Sequence, residues 1–450
     1  MRTIQTAAAA LAAGETTARA LVETCLERIA APGGQGALTF VRVHAEPARA
    51  MATAIDALRR AGRAPSPFAG IPISLKDLFD IEGEPTPAGS RVLADAAPAS
   101  CHAPVVARLL AAGMIPVGRT NMAEFAYSGL GPNPHFGTPL SPWDRAGRRV
   151  PGGSSSGAAV SVADGMAIGA IGTDTGGSCR IPAAFCGVTG AKPTARRIPR
   201  EGALPLSTTL DSIGPLANSV ACCAILDAVM AGETPAAPVG LPVALPLAGL
   251  RLGLPETVAC EALDADVARA FERALHRLEA AGARIVRRRF TAFDLIGEVT
   301  AKGGFSAAES FAWHRDLLAR AGAGYDPRVR VRIERGGEQS AADYLGLIAA
   351  RARMIARMDA ETADLDAVVM PTVPIVPPRL DELAEDEAYY RINMQSLRNT
   401  SIVNLLDRCA VSLPCQAPDE PPVGFMVIGE TMGDARLFRL AAAIEAALRT

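Results

Sequence analysis

The sequence predicts an α/β fold, and three observations carry the prediction. The chain has 450 residues, 49 % of them hydrophobic, enough to bury a large core. Stretches of helical periodicity alternate with short apolar runs of strand length, the pattern of a sheet covered by helices. Those runs are near-continuous in apolar character, as in strands buried on both faces.

Taken in order, residues 5–31 read as a helical pair, with Ala20, Leu21, Cys25, Leu26 and Ile29 at helical spacing. Their alanine run is too weakly apolar, and the helical pattern too continuous, for a signal peptide. Residues 45–62 and 103–113 are helical, and the runs "GIPISL" and "GMIPVG" that follow them are strands. A helix over 157–166 leads to a strand-like stretch over 166–172. The Pro- and Gly-rich segment 232–256 joins a first block to a second, which opens with the strand "RLGLPE". Residues 264–283 return to helical spacing, 283–290 read as a strand, 363–378 hold a buried strand stopped by prolines, and 435–449 form a closing amphipathic helix. The expected organisation is one unit over 1–450: a helical segment at 1–62, a core at 63–231, and a second half at 257–450 that completes the sheet and the pocket.

Composition narrows the function classes. The formal net charge is −2 and no basic stripe stands out, so small molecules are expected as partners and direct nucleic-acid binding is not. No run of 18 apolar residues marks a membrane span. The nine cysteines are scattered and odd in number, without CxxC pairs, which favours reduced thiols in a cytoplasmic protein over a disulfide framework. The five histidines show no metal-binding pairing, so neither metal nor cofactor is expected.

Residues 152–178 stand apart, with eight glycines and five serines in 27 positions. Two glycine-flanked serine sites, Ser154–Ser156 and Ser178, are separated by a helix and a strand that return the second to the first. A phosphate loop is one alternative, but both GxxxxGK[ST] and GxGxxG are absent; the nucleophile elbow GxSxG does not fit the sequence around Ser178. A purely structural glycine-serine turn stays open at this point. The second signal is a lysine. Among 45 lysines and arginines only Lys76, Lys192 and Lys302 are lysines, and Lys76 lies in the apolar run "IPISLKDLFD". A buried lysine can lose its proton near neutral pH, which arginine does not. The bland alternative for Lys76 is an anchor for a carboxylate such as Asp77.

Together, "GIPISLKDLFD", "PGGSSSG" and "GTDTGGSCRIPAAFCG" resemble the amidase signature family of Ser-cisSer-Lys hydrolases. The resemblance extends to "GMIPVGRTNMAEFAYSG", "GAKPT", "STTLDSIGPLANS", "NLLDRCAVSLPC" and "PPVGFMVIG", and so covers nearly the whole chain. It implies a large mixed central β-sheet with helices on both faces. It also implies Ser178 as acyl nucleophile, Ser154 as the serine after a cis peptide bond, and Lys76 as base. The amides of Thr175, Gly176, Gly177 and Ser178 would form the oxyanion hole, supported by Ser155, Asp174 and Arg180. A helix beginning at "CRIPAAF" would add positive potential at its N-terminus. Ser156 departs from the family's commoner glycine, and Cys179 raises a thiol alternative that the motif position disfavours.

Family analogy further offers Phe125, Tyr127 and Ser128 as pocket residues, with core packing as the equal alternative. One of Arg328, Arg330 and Arg332 could hold a substrate carboxylate, although a helical or strand surface is the simpler reading of that segment. The function implied is cleavage of a small carboxamide or urea-type C–N bond through an acyl-enzyme. The first alternative is a partner-dependent glutaminase subunit of an amidotransferase; the second is a binding protein on the same fold, which would have lost a catalytic residue. A homodimer is compatible with either enzyme reading.

Overall fold

The computed structural model describes residues 3–233 and 244–449. Part of the predicted joining segment 232–256 therefore lies outside the described residues. Among the described residues, eleven strands form one mixed sheet: β1 (Phe40–Val43), β2 (Pro72–Lys76), β3 (Ile115–Thr120), β4 (Gly169–Asp174), β5 (Thr189–Lys192), β6 (Ser212–Ala217), β7 (Arg251–Pro255), β8 (Arg284–Arg288), β9 (Ala367–Pro371), β10 (Ala410–Pro414) and β11 (Gly424–Ile428). Their order is β1-β3-β2-β4-β6-β5-β10-β11-β9-β7-β8. Strands from the two halves of the sequence meet where β5 pairs antiparallel with β10.

Alternation along the strands shows why both faces carry helices. Val369, Val411, Phe425 and Val427 pack into a core with helices Val220–Ala231, Ala265–Ala280 and Asp434–Arg449. Their neighbours Val368, Met370, Met426 and Ile428 face Ala341–Thr362 and Asp386–Leu405 instead. On that same side, Ala170 of β4 and Leu216 of β6 meet helices Ser156–Ala163 and Arg180–Cys186. A period of two with both sets apolar places each strand between two helical layers.

The N-terminal pair is present as Ile4–Ala13 and Ala18–Ala30, each capped by a threonine side chain, Thr3 and Thr17. Helix Ser156–Ala163 ends earlier than its apolar pattern, because Gly165 takes the left-handed conformation, and β4 starts later and runs on to Asp174. Residues 327–334 are a helix, not a strand, with Pro327 in its first turn and Asp326 as cap. No described helix is long and apolar enough to cross a membrane. No disulfide joins the nine cysteines.

Candidate active site

The site lies where β2 and β4 end side by side. They run parallel, with Leu75 opposite Ile171, so Lys76 finishes one strand level with Gly172, one residue before Thr173. Side chains and loops beyond the carboxyl ends of parallel strands are where α/β sheets place ligands. Lys76 is fully buried, and its Nζ is 2.7 Å from Ser154 Oγ and 2.8 Å from Thr173 Oγ1. Burial pushes the ammonium down to about 8, against smaller opposing effects of Cys179, Asp211 and Asp174.

The carboxylate alternative for Lys76 is overturned. Successive strand residues point to opposite faces, so Asp77 turns away from Lys76 and takes Arg119 as its partner, at 2.7 Å.

Ser154 follows a cis peptide bond from Gly153. Its carbonyl accepts from the Ala123 amide at 3.0 Å. Ser155 donates its amide to the Ser178 carbonyl at 3.3 Å and its hydroxyl to the Thr173 carbonyl at 3.3 Å. The serine pair is thereby held alongside Ser178 and β4. Ser156, the departure from glycine, begins the following helix and donates its hydroxyl to the Asn121 carbonyl at 3.3 Å. Ser178 is 4 % exposed and lines a cleft of about 290 Å³.

Asp174 organises the loop from β4 to Ser178. Its carboxylate accepts from the Gly177 amide at 2.8 Å and the Cys179 amide at 3.1 Å, and pairs with Arg180 through Nε at 3.0 Å and Nη2 at 2.8 Å. Burial opposes ionisation of Asp174, but the Arg180 charge and hydrogen bonds outweigh it and hold the carboxyl down at about 2. Asn404 closes the network, accepting from Arg180 at 2.7 Å and donating to the Asp174 carbonyl at 3.0 Å.

This network corrects two expectations. The Gly177 amide, expected as an oxyanion donor, has the Asp174 carboxylate as its acceptor. The first amides of helix Arg180–Cys186 point at the same carboxylate, so their positive potential is matched inside the protein. Gly177 is required sterically: its φ is +137°, and a Cβ there would overlap Thr400 Oγ1. Thr400 in turn donates to the Gly176 carbonyl at 2.6 Å. Cys179 is fully buried, burial pushes its thiol far up, and its Sγ lies against the Gly214 carbonyl. The thiolate needed for the alternative nucleophile is disfavoured.

Of the proposed pocket residues, Tyr127 and Ser128 line the cleft. Phe125 does not. It is 1 % exposed and packs edge-on against His314, with centroids 4.4 Å apart, and against Tyr325 at 5.1 Å. The backbone turns through φ +49° at Phe125 and +61° at Ala126, which separates the direction of Phe125 from that of Tyr127. Of the three arginines, Arg328 is bound to Asp386 and two carbonyls and Arg330 to Glu334, while Arg332 lines the cleft.

A family model described as Amidase matches residues 20–438. The chain belongs to the amidase family. It is 38 % identical over 98 % of its length, and 94 % of the relative's, to 2-amino-5-chloromuconic acid deaminase of Comamonas testosteroni. It is 36 % identical, over 97 % of its length and 94 % of the relative's, to a glutamyl-tRNA(Gln) amidotransferase subunit of Chloroflexus aggregans. A crystal structure of an amidase superposes with TM-score 0.87 at 30 % identity, over 99 % of both chains. As a member of this family the protein is an amide hydrolase of the Ser-Ser-Lys type.

Sequence reasoning missed several residues of this amidase. Thr173, the second partner of Lys76, lies within the quoted motif but looks like any strand threonine. Asp211 lies in "STTLDSIGPLANS"; it accepts from Thr175 Oγ1 at 2.5 Å and from the amides of Leu206 and Ser207, both at 3.0 Å. Burial raises Asp211 to about 6, with those donors working against the shift. Arg335 joins Arg332 in the cleft lining and had no local signal to separate it from its arginine neighbours.

Proposed function

We propose that Ser178 attacks the carbonyl of a small carboxamide, with Ser154 and Lys76 moving the proton. The observation that carries this reading is the 2.7 Å hydrogen bond between Ser154 and a fully buried lysine lowered to about 8. As the Ser178 hydroxyl adds to the carbonyl, its proton passes to Ser154 Oγ, and the Ser154 proton passes to neutral Lys76. The amides of Thr175, Gly176 and Ser178 receive the developing oxyanion. Return of the proton through Ser154 lets ammonia or an amine depart and leaves an acyl-Ser178 ester. Water then attacks that ester with the same groups as base, giving the carboxylate and free Ser178. Ser155, Asp174 and Arg180 hold this loop and do not react.

The relative named as a chloromuconic acid deaminase supports a self-sufficient enzyme acting on a small molecule. The relatives named as amidotransferase subunits favour a second reading, in which the chain supplies ammonia within a complex. Cysteines without a disulfide support a reducing compartment such as the cytoplasm. The test is ammonia release by the purified chain from aliphatic, aromatic and indole amides, glutamine and urea-type compounds. Turnover abolished by Ser178→Ala supports the first reading. Silence from a folded protein across the panel moves the assignment to the partner-dependent one.

A further inference from the structure

We propose that Asp211 is a positioning residue for the oxyanion hole: through the Thr175 hydroxyl it fixes the direction of the amide donors ahead of Ser178. The inference deepens the amide-hydrolase reading and rests on it for the place of the oxyanion.

Thr175 is the last residue with a side chain before two glycines and the nucleophile. Glycines adopt many backbone conformations and offer no side chain by which to be held, so this pair depends on its surroundings. The Gly177 amide donates to the Asp174 carboxylate at 2.8 Å, and the Gly176 carbonyl accepts from Thr400 Oγ1 at 2.6 Å. The third hold is at Thr175, whose Oγ1 donates to Asp211 Oδ1 at 2.5 Å. The peptide unit that joins Thr175 to Gly176 is thus held on both sides, and the Gly176 N–H belongs to it.

Asp211 reaches Thr175 because the two flank the end of one strand pair. β4 and β6 run antiparallel with Asp174 opposite Ser212, so Thr175 and Asp211 meet just beyond that rung. Ser212 tightens the same end by donating Oγ to the Asp174 carbonyl at 3.0 Å. The second carboxylate oxygen of Asp211 accepts from the amides of Leu206 and Ser207, both at 3.0 Å. All three bonds are received and none is given, as suits an ionised carboxylate. Asp211 is not among the residues that line the cleft; it faces an adjoining cavity of about 430 Å³, and Thr175 and Leu206 are walls of both. It acts on the reaction through Thr175, without touching substrate.

The experiment removes the bond from either side. Thr175→Val deletes the hydroxyl and keeps the shape, and Asp211→Asn leaves one acceptor oxygen where there were two. Kinetics use the aliphatic or aromatic amide that the unmodified chain turns over fastest, and binding uses the boronic acid with the same alkyl or aryl group. Ser178 Oγ adds to the boron and its proton passes to Ser154 and Lys76, giving a tetrahedral boronate with an oxygen at the oxyanion position. Each variant is expected to lower kcat about tenfold or more with KM within about threefold, and to weaken the boronic acid by a similar factor. Thr175→Ser keeps the donor and is expected to recover most of that loss. The double variant should lose no more than the worse single one, because both changes break the same bond. Thr175→Val at parental kcat, single losses that multiply in the double variant, or a kcat loss without a matching loss of boronic-acid affinity each overturn the positioning role and leave the hydrolase reading standing. An unmodified chain that neither turns over these amides nor binds the boronic acids would overturn the hydrolase reading, and this inference with it.

Discussion

If Lys76 is the base, the rate must follow its deprotonation. Burial lowers it from an ordinary 10.5 to about 8, a bias of roughly 3 kcal/mol against the ammonium. The neutral fraction is then about 1 % at pH 6, about 10 % at pH 7 and half at pH 8. For a neutral amide, kcat/KM should rise close to tenfold between pH 6 and 7 and level off above about pH 9. Lys76→Arg keeps a cation but has no neutral form, and should lose roughly 10³-fold or more with no remaining pH slope. Steady-state ammonia release across pH 6–10, with Ser178→Ala as background, measures both. A flat profile in the unmodified enzyme, or Lys76→Arg within tenfold of it, would refute the assignment. The same burial has a stability consequence of known sign. The unfolded chain binds more protons than the folded one between about pH 8 and 10.5, so the cost is full below 8 and relieved as pH rises through that window. Lys76→Met removes the cost, about 3 kcal/mol, and also two hydrogen bonds of about 1 kcal/mol each. It should melt slightly higher than the unmodified protein at pH 7, with the advantage gone by pH 10. Lys192, also buried and lowered to about 8, is present in both proteins and cancels in the difference.

Two further predictions concern the loop that carries Ser178. Gly177→Ala would drive a Cβ into Thr400 Oγ1 from a left-handed backbone, so the loop must shift; kcat should fall at least about 100-fold while the fold, read by far-UV circular dichroism, persists. Asp174→Asn leaves the fully buried Arg180 guanidinium without its counter-ion, at a cost of about 3–5 kcal/mol, and a melting temperature unchanged from the parent would contradict that account.

The central site was legible because its parts lie in two short stretches whose spacing is set by local structure. Ser154 and Ser178 bracket one helix and one strand, and Lys76 ends the neighbouring strand, so chain order alone constrains where they meet. The lysine was visible for a different reason, as one of three among 45 basic residues. The flanking strands β5, β6, β10 and β11 had no comparable signal in periodicity. They are four to six residues long and buried on both faces, so neither alternation nor length distinguishes them from other apolar runs.

What escaped the sequence was the assignment of partners. Adjacency made Asp77 look like a counter-ion for Lys76, yet a strand sends consecutive side chains to opposite faces, and Asp77 meets Arg119 from the next strand. The family resemblance likewise implied Gly177 as an oxyanion donor, but in the turn that carries Ser178 that amide donates to Asp174. The arginines of the helix Pro327–Glu334 and the turn after it differ in which neighbours they reach, not in local sequence. Arg328 meets Asp386, 58 residues away, while Arg332 and Arg335 reach the cleft without an acid. The same asymmetry runs through the active site of this amidase. Lys76, Ser154 and Ser178 all come from the first half of the chain, whereas Arg332 and Arg335 of the cleft lining come from the second half and are placed only by how it packs over the first.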